Sequence, residues 1–143
     1  MTVANLLRDK GNAIYTIEGV RMLADGAKML SERKVGALVV LEEGVSVAGI
    51  LGEREIVGAI AAHGASVLME PVRDHMITKF VTCRRSDSIG HLMSVMTNSR
   101  LRHVPVMDKG QLIGVVSIGD VVKHRIAETE HEAETLREFI TAR

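Results

Sequence analysis

The sequence contains a single cysteine, Cys83, no tryptophan, one tyrosine and two phenylalanines in 143 residues. One cysteine excludes a disulfide within the chain and any metal cage built from several thiolates. Aromatics at 2% are too few to form a platform on which single-stranded nucleic acid would stack. An excess of one charge sign is also missing: 18 Lys and Arg offset 18 Asp and Glu, so no overall field steers the chain toward nucleic acid or an anionic membrane. No apolar run approaches the roughly 18 residues of a membrane span, and residues 1–15 lack the apolar stretch of a secretory signal. These absences predict a cytoplasmic chain with no membrane or nucleic-acid partner, long enough to bury one core or two small, mutually dependent ones.

What is present is an internal duplication. Residues 35–44 form an apolar run ending in Glu42-Glu43-Gly44, and residues 101–110 form another ending in Asp108-Lys109-Gly110; 101 − 35 and 110 − 44 both give 66. The same offset sets residues 14–17 over 80–83 and residues 22–30 over 88–96. Downstream, residues 48–56 match 113–121 at an offset of 65, so the first copy carries one extra residue in its turn. Self-similarity over most of a chain is the mark of a repeat architecture.

Each copy reads as β-α-β-β-α. A short β-rich run (Thr16 in the first copy, Val81 and Thr82 in the second) precedes a helix, seen in Ile89, Leu92, Met93 and Met96 at i, i+3, i+4 and i+7, with Ser86 as its expected N-cap. Two apolar runs around each glycine turn predict a hairpin, and a second helix is expected from near Glu53 and Ile118. A small sheet with helices on one face leaves its other face bare. Two copies packed sheet to sheet remove that problem and create a cleft with two related pockets. The predicted fold is therefore α/β (α+β type), with units at 1–66 and 67–126 and a helical tail at 127–143. Residues 3–7 and 72–76 are expected as short helical lead-ins to the two copies. The tail has a sparse stripe, Ile126, Ala133, Leu136 and Ile140, that either meets a partner subunit, most simply in a homodimer, or folds back on its own body.

The chemistry concentrates where a buried strand runs through Gly114 and Ser117 into a helix N-terminus. Free backbone N–H groups and the positive dipole end favour an anion there. Ser117 adds a hydroxyl, and Asp120 offers two acceptor oxygens suited to the paired hydroxyls of a ribose. Ser-x-x-Asp is equally a capping-box variant that needs no ligand. Gly114 and Gly119 do not make a P-loop, because Asp120 stands where a lysine is required. Arg102 and His103 open the preceding strand, within reach of a phosphate or simply solvated, and Thr16 and Thr82 sit where strand-edge groups can read an adenine edge.

These residues resemble the tandem CBS repeats, two of which form a Bateman module. The resemblance covers about residues 1 to 126 and rests on the strand Arg102-His103-Val104-Pro105-Val106, the turn Asp108-Lys109-Gly110, and residues 114–120, which match the family's Gly-h-x-Ser/Thr-x-x-Asp signature. It implies AMP, ADP or ATP in the cleft between repeats, in some members NAD(H) or S-adenosylmethionine, with Asp120 on the ribose, Ser117 near phosphate and Arg102 and His103 beside it. Val81, Pro105 and Gly119 belong to the same implied site. The first copy departs from the signature, with Gly52 for the hydroxyl residue and Glu55 for the aspartate. Arg54, at the start of that copy's second helix, is implied to reach across toward phosphate.

Enzyme readings find no convincing constellation. His131-Glu132 lacks the second histidine of a zinc-protease motif because Thr135 occupies its place. His124, Glu128 and His131 share a helix face that charged residues ordinarily occupy as a solvated surface. Cys83 matches Ile17 in the repeat and reads as a small buried hydrophobe. The expectation is a regulatory, non-catalytic nucleotide sensor that takes no metal and acts on an unidentified protein. The alternative is a structural dimerisation module without a ligand.

Overall fold

The computed structural model describes residues 1–11 and 13–142; Arg143, the end of the expected tail, lies outside the described residues, as does Asn12. A leading helix α1 (Val3–Lys10) is followed by the first copy: β1 (Thr16–Glu18), α2 (Leu23–Arg33), β2 (Ala37–Glu42), β3 (Ser46–Gly52) and α3 (Glu53–His63). Two short 3-10 turns, Ala65–Met69 and Val72–Asp74, lead to the second copy: α4 (Ile89–Ser99), β4 (His103–Asp108), β5 (Gln111–Ser117) and α5 (Ile118–Thr141). The predicted α/β duplication, both hairpins and the starts of the second helices are all present. Between paired Asp108 and Gln111, Lys109 and Gly110 both have positive φ, as a two-residue hairpin turn of type I′ requires. The first hairpin closes between Glu42 and Ser46 and so holds the one extra residue that the offset change predicts.

Two local expectations are corrected. The first concerns the opening strand of each copy. In the first copy β1 runs parallel to β2 in a three-stranded sheet, but residues 80–83 form no strand: only Cys83 bridges Val106 beside the two-stranded β4–β5 sheet. Pro105 explains the loss. Its counterpart Val39 donates its N–H to the Tyr15 carbonyl at 3.1 Å, whereas proline has no N–H to give. What survives is Cys83 N–H to Pro105 O at 3.0 Å and Met107 N–H to Cys83 O at 2.9 Å. The second concerns the cap of α4, which is Ser88, not Ser86: the Ser88 hydroxyl accepts the His91 N–H at 3.1 Å. Ser86 sits two residues too early, inside the Arg84–Asp87 turn closed by Asp87 Oδ2 on the Arg84 N–H at 2.8 Å.

The lead-in segments cross between copies. Val3, Leu6 and Leu7 of α1 pack into the second copy's core with Ile89, Leu92, Met96, Val104 and Val116, while Val67 and Val72 join the first copy's core with Leu23, Leu38 and Leu51. The two crossings are made alike: Thr2 bridges Ser88, and Pro71 bridges Met22. Backbone bonds support each, including Val3 N–H to Asp87 O at 2.9 Å and Val72 N–H to Arg21 O at 2.8 Å. Glycine makes the room. A Cβ on Gly114 would stand 2.8 Å from Leu7 Cδ2, and one on the matching Gly49 would stand 2.5 Å from the Ile77 carbonyl oxygen. Each copy thus closes its core with the other's lead-in, which ties the two units together and fixes the cleft between them.

Candidate functional site

A cavity of about 450 Å³ lies where the copies meet, within the range of small-molecule sites. The segment before β1 and the start of β2 supply Ala13, Tyr15, Lys34 and Gly36; β4, β5 and α5 supply Arg102, His103, Ser117 and Asp120; and α1 supplies Lys10. Both copies are needed to build it. Ser117 caps α5, its hydroxyl accepting the Asp120 N–H at 3.1 Å while Asp120 Oδ2 accepts the Ser117 N–H at 2.8 Å. The capping box expected as an alternative reading is therefore real, and it coexists with an open cavity over the same helix start.

Asp120 carries a further contact that the repeat pattern does not show. Lys10 Nζ donates to Asp120 Oδ2 and to the Val115 carbonyl, both at 2.7 Å. Burial pushes the Asp120 carboxyl up, but the hydrogen bonds from Lys10 and the Ser117 backbone outweigh it and hold the pKa below the ordinary value. The group is an anion with a cation already resting on it. The His103 pKa is also lowered, by burial and then by the neighbouring Arg102, so this ring is neutral near pH 7 and can donate through one nitrogen and accept through the other. Arg102, Lys10 and Lys34 make the remaining wall basic.

A second, related cavity of about 200 Å³ is lined by Gly52, Glu53, Arg54, Glu55, Arg100, Arg102 and His103, among others. Glu55 occupies the place of Asp120, since its Oε1 accepts the Gly52 N–H at 2.9 Å just as Asp120 does for Ser117. A Cβ on Gly52 would stand 2.8 Å from that oxygen, so the longer acid and the glycine cap go together. Arg54 lines this cavity and not the first; Arg102 and His103 line both and form the wall between them.

The structure brings Ser117, Gly119, Asp120, Arg102 and His103 together as the sequence suggested. Thr82 lies elsewhere, in an outer groove with Arg84, Arg85 and Lys109. Thr16 and Pro105 are not among the residues lining either cleft cavity, and Val81 packs against the second core. For Thr16 the reason is parity along the extended backbone, where neighbouring residues face opposite sides and Tyr15 meets the cavity; for Thr82 and Val81 it is the absence of a strand at residues 80–83. Lys10, Lys34 and Tyr15 were missed, although Lys34, at the αL cap of α2, has a readable counterpart in Arg100.

Among the described residues no cluster of three or more His, Cys, Asp and Glu is placed to hold a metal, and no helix is long and apolar enough to cross a membrane. His124 Nε2 stands 3.3 Å from Glu128 Oε2. Cys83 is buried in the second core, and burial with nearby Asp87 pushes its thiol up to about 12, which leaves almost no thiolate at neutral pH.

Comparison with known proteins meets this geometry at the level of the whole fold. The CBS domain family model matches residues 72–127. The crystal structure of the CBS-domain containing protein ATU1752 from Agrobacterium tumefaciens is 39% identical, with a TM-score of 0.84 over 87% of this chain and 99% of that one. A protein with CBS domains from Burkholderia ambifaria MC40-6 is 38% identical, with a TM-score of 0.83 over 89% and 95%. The mitochondrial CBS domain-containing protein CBSX3 of Arabidopsis thaliana is 36% identical over 120 residues, 81% of this chain, and this chain spans 58% of that relative's length. With two copies of the β-α-β-β-α unit, exchanged lead-ins and these relatives, the chain belongs to the CBS-domain family, as a CBS-domain pair.

Proposed function

We propose that the larger cavity binds an adenine nucleotide and that the chain acts as a regulatory module, not a catalyst. The observation that carries this reading is the meeting, in one cavity, of a helix N-terminus, the Asp120 carboxylate and the cations Lys10, Lys34 and Arg102. The carboxylate suits a ribose diol, the positive end of the α5 dipole and the cations suit phosphate, and the apolar parts of Tyr15, Val35 and Ala37 suit a base. Two proteins of the same fold support the ligand class: CBSX2 was solved in complex with AMP, at 20% identity and a TM-score of 0.71, and the CBS domain pair of MJ0100 in complex with 5′-methylthioadenosine and S-adenosyl-L-methionine, at 19% identity and a TM-score of 0.79. Because both copies line the cavity, ligand binding favours one relative placement of the copies over others, and a partner protein can read that shift.

A thermal-shift panel of AMP, ADP, ATP, NAD, NADH, adenosine and S-adenosylmethionine tests the proposal on protein first freed of carried-over ligand. At about 100 times its dissociation constant a nucleotide adds about 2.7 kcal/mol, raising the midpoint by several degrees. No shift with any of them contradicts the reading and favours a structural module.

Lys10 sets the expected order within that panel. A ribose diol that takes both Asp120 oxygens must displace Lys10 from Oδ2, and only a phosphorylated ligand offers the freed ammonium a new anion. Lys10→Met is therefore expected to weaken AMP binding several-fold while leaving adenosine unchanged or tighter, because the bridge no longer has to be broken. Parallel titrations of both ligands check this: equal losses for AMP and adenosine would show that Lys10 only supports the fold.

A further inference from the structure

The second half of α5 carries a row of exposed apolar residues that neither copy uses. The helix runs 24 residues, about 36 Å. Its inner side is committed near the start, where Val121 is fully buried in the second core and His124 and Glu128 are half-buried beside it. The opposite side carries Val122, Ile126, Thr129, Ala133, Leu136 and Ile140, at alternating spacings of four and three. The four large apolar residues of this row are 46% to 62% exposed. At about 100° per residue these six positions fall within an arc of about 80°, centred about 100° round from Val121. They form a seam facing away from the domain, in a strict heptad pattern with Ile126, Ala133 and Ile140 at a and Val122, Thr129 and Leu136 at d.

We infer that this seam pairs with the same helix of a second copy as a parallel, in-register, two-stranded coiled coil. The flanking charges select that arrangement. At the g and e positions, Arg125 falls opposite Glu130 of the second copy and Glu132 falls opposite Arg137 of the second copy. By symmetry each attraction occurs twice. Arg125 is held within its own helix only by a 3.9 Å approach to Glu128. If the same seam is aligned antiparallel, Glu130 meets Glu130, Glu132 meets Glu132 and Lys123 meets Arg137, so every pair of charged flanks repels, and Arg125 is left facing Phe139. Ile at two a positions and Leu at a d position also fit two parallel strands. Since the seam points away from Val121, the two domains lie on the outer sides of the coil. The pairing does not depend on a ligand in either cavity.

Sedimentation of the full chain tests the inference through charge and through geometry. The wild type is expected to be a dimer. Arg125→Glu with Arg137→Glu makes the four paired flanking positions 125, 130, 132 and 137 all acidic, and Glu130→Arg with Glu132→Arg makes them all basic. Each double variant is expected to weaken self-association at least about tenfold, and an equimolar mixture of the two is expected to recover the dimer as a heterodimer. In a Cys83→Ala background, Ile140→Cys is expected to crosslink to itself under oxidation, whereas an antiparallel coil places it against Val122. All altered residues except buried Cys83 are exposed, and circular dichroism checks that each variant folds. A monomeric wild type, a dimer indifferent to both charge variants, or Ile140→Cys crosslinking only with Val122→Cys would each overturn the inference.

Discussion

Replacing Asp120 by alanine is expected to remove nucleotide-induced stabilisation while leaving a folded protein. Two effects separate cleanly. The apo protein loses half of the α5 capping box and the Lys10 bridge, with the cap contributing about 0.5 to 2 kcal/mol and the partly exposed ion pair at most about 1 kcal/mol. The complex loses its charged acceptor for the ribose hydroxyls, about 1.5 to 3 kcal/mol or roughly 10- to 150-fold in affinity. Asp120→Asn keeps an oxygen for the Ser117 N–H, so it is expected to restore much of the apo stability without restoring ribose affinity. Thermal unfolding with and without AMP checks both. If Asp120→Ala destabilises the apo protein but shifts with AMP as far as the wild type does, Asp120 is only a helix cap.

The largest loss of stability is expected from Gly49→Ala. Its Cβ would meet the Ile77 carbonyl oxygen at 2.5 Å and Met76 Sδ at 2.6 Å. A backbone oxygen cannot rotate aside, so the crossing segment must lift, breaking the Ile50–Ile77 pair of hydrogen bonds at 3.0 and 2.8 Å. Overpacking of about 1 to 3 kcal/mol with two bonds of about 1 kcal/mol each totals about 3 to 5 kcal/mol, a fall of about 10 to 15 °C in the midpoint. The matching Gly114→Ala is the control. There the obstacle is the end of the Leu7 side chain at 2.8 Å, which can turn away, so its cost is expected to stay near about 1 kcal/mol. Equal, small losses at the two positions would show that the crossing at Ile77 yields readily and does not hold the copies together.

The sequence was most informative where a pattern is local. The offset of 66 located both hairpins because each turn needs its own glycine, and the offset of 65 beyond the turn located α3 and α5 because a strand ending in a capping residue announces the helix after it. Residues 80–83 failed as a strand for a reason already visible in the sequence, since Pro105 stands where the matching Val39 donates a hydrogen bond. The crossing of the lead-ins was not legible: residues 3–7 and 72–76 are apolar enough to close either core, and only three-dimensional packing decides which one. The site divides in the same way. Ser117 and Asp120 could be read from their position at a helix start, and Arg102 and His103 from the strand before it. Thr16 was misplaced by one step of strand parity, and Thr82 because residues 80–83 form no strand and leave it in an outer groove. Lys10 has no sequence signature, because its bond to Asp120 joins residues 110 positions apart and depends on α1 lying against the second copy.

The most direct test of the ribose on Asp120 is a calorimetric titration of ligand-free protein with AMP and with 2′,3′-dideoxy-AMP, which lacks the diol. The account predicts saturable AMP binding in the cleft, at least about tenfold tighter than the dideoxy compound in the wild type and no tighter in Asp120→Ala. Equal affinities for the two ligands in the wild type, or no binding of either, would contradict it.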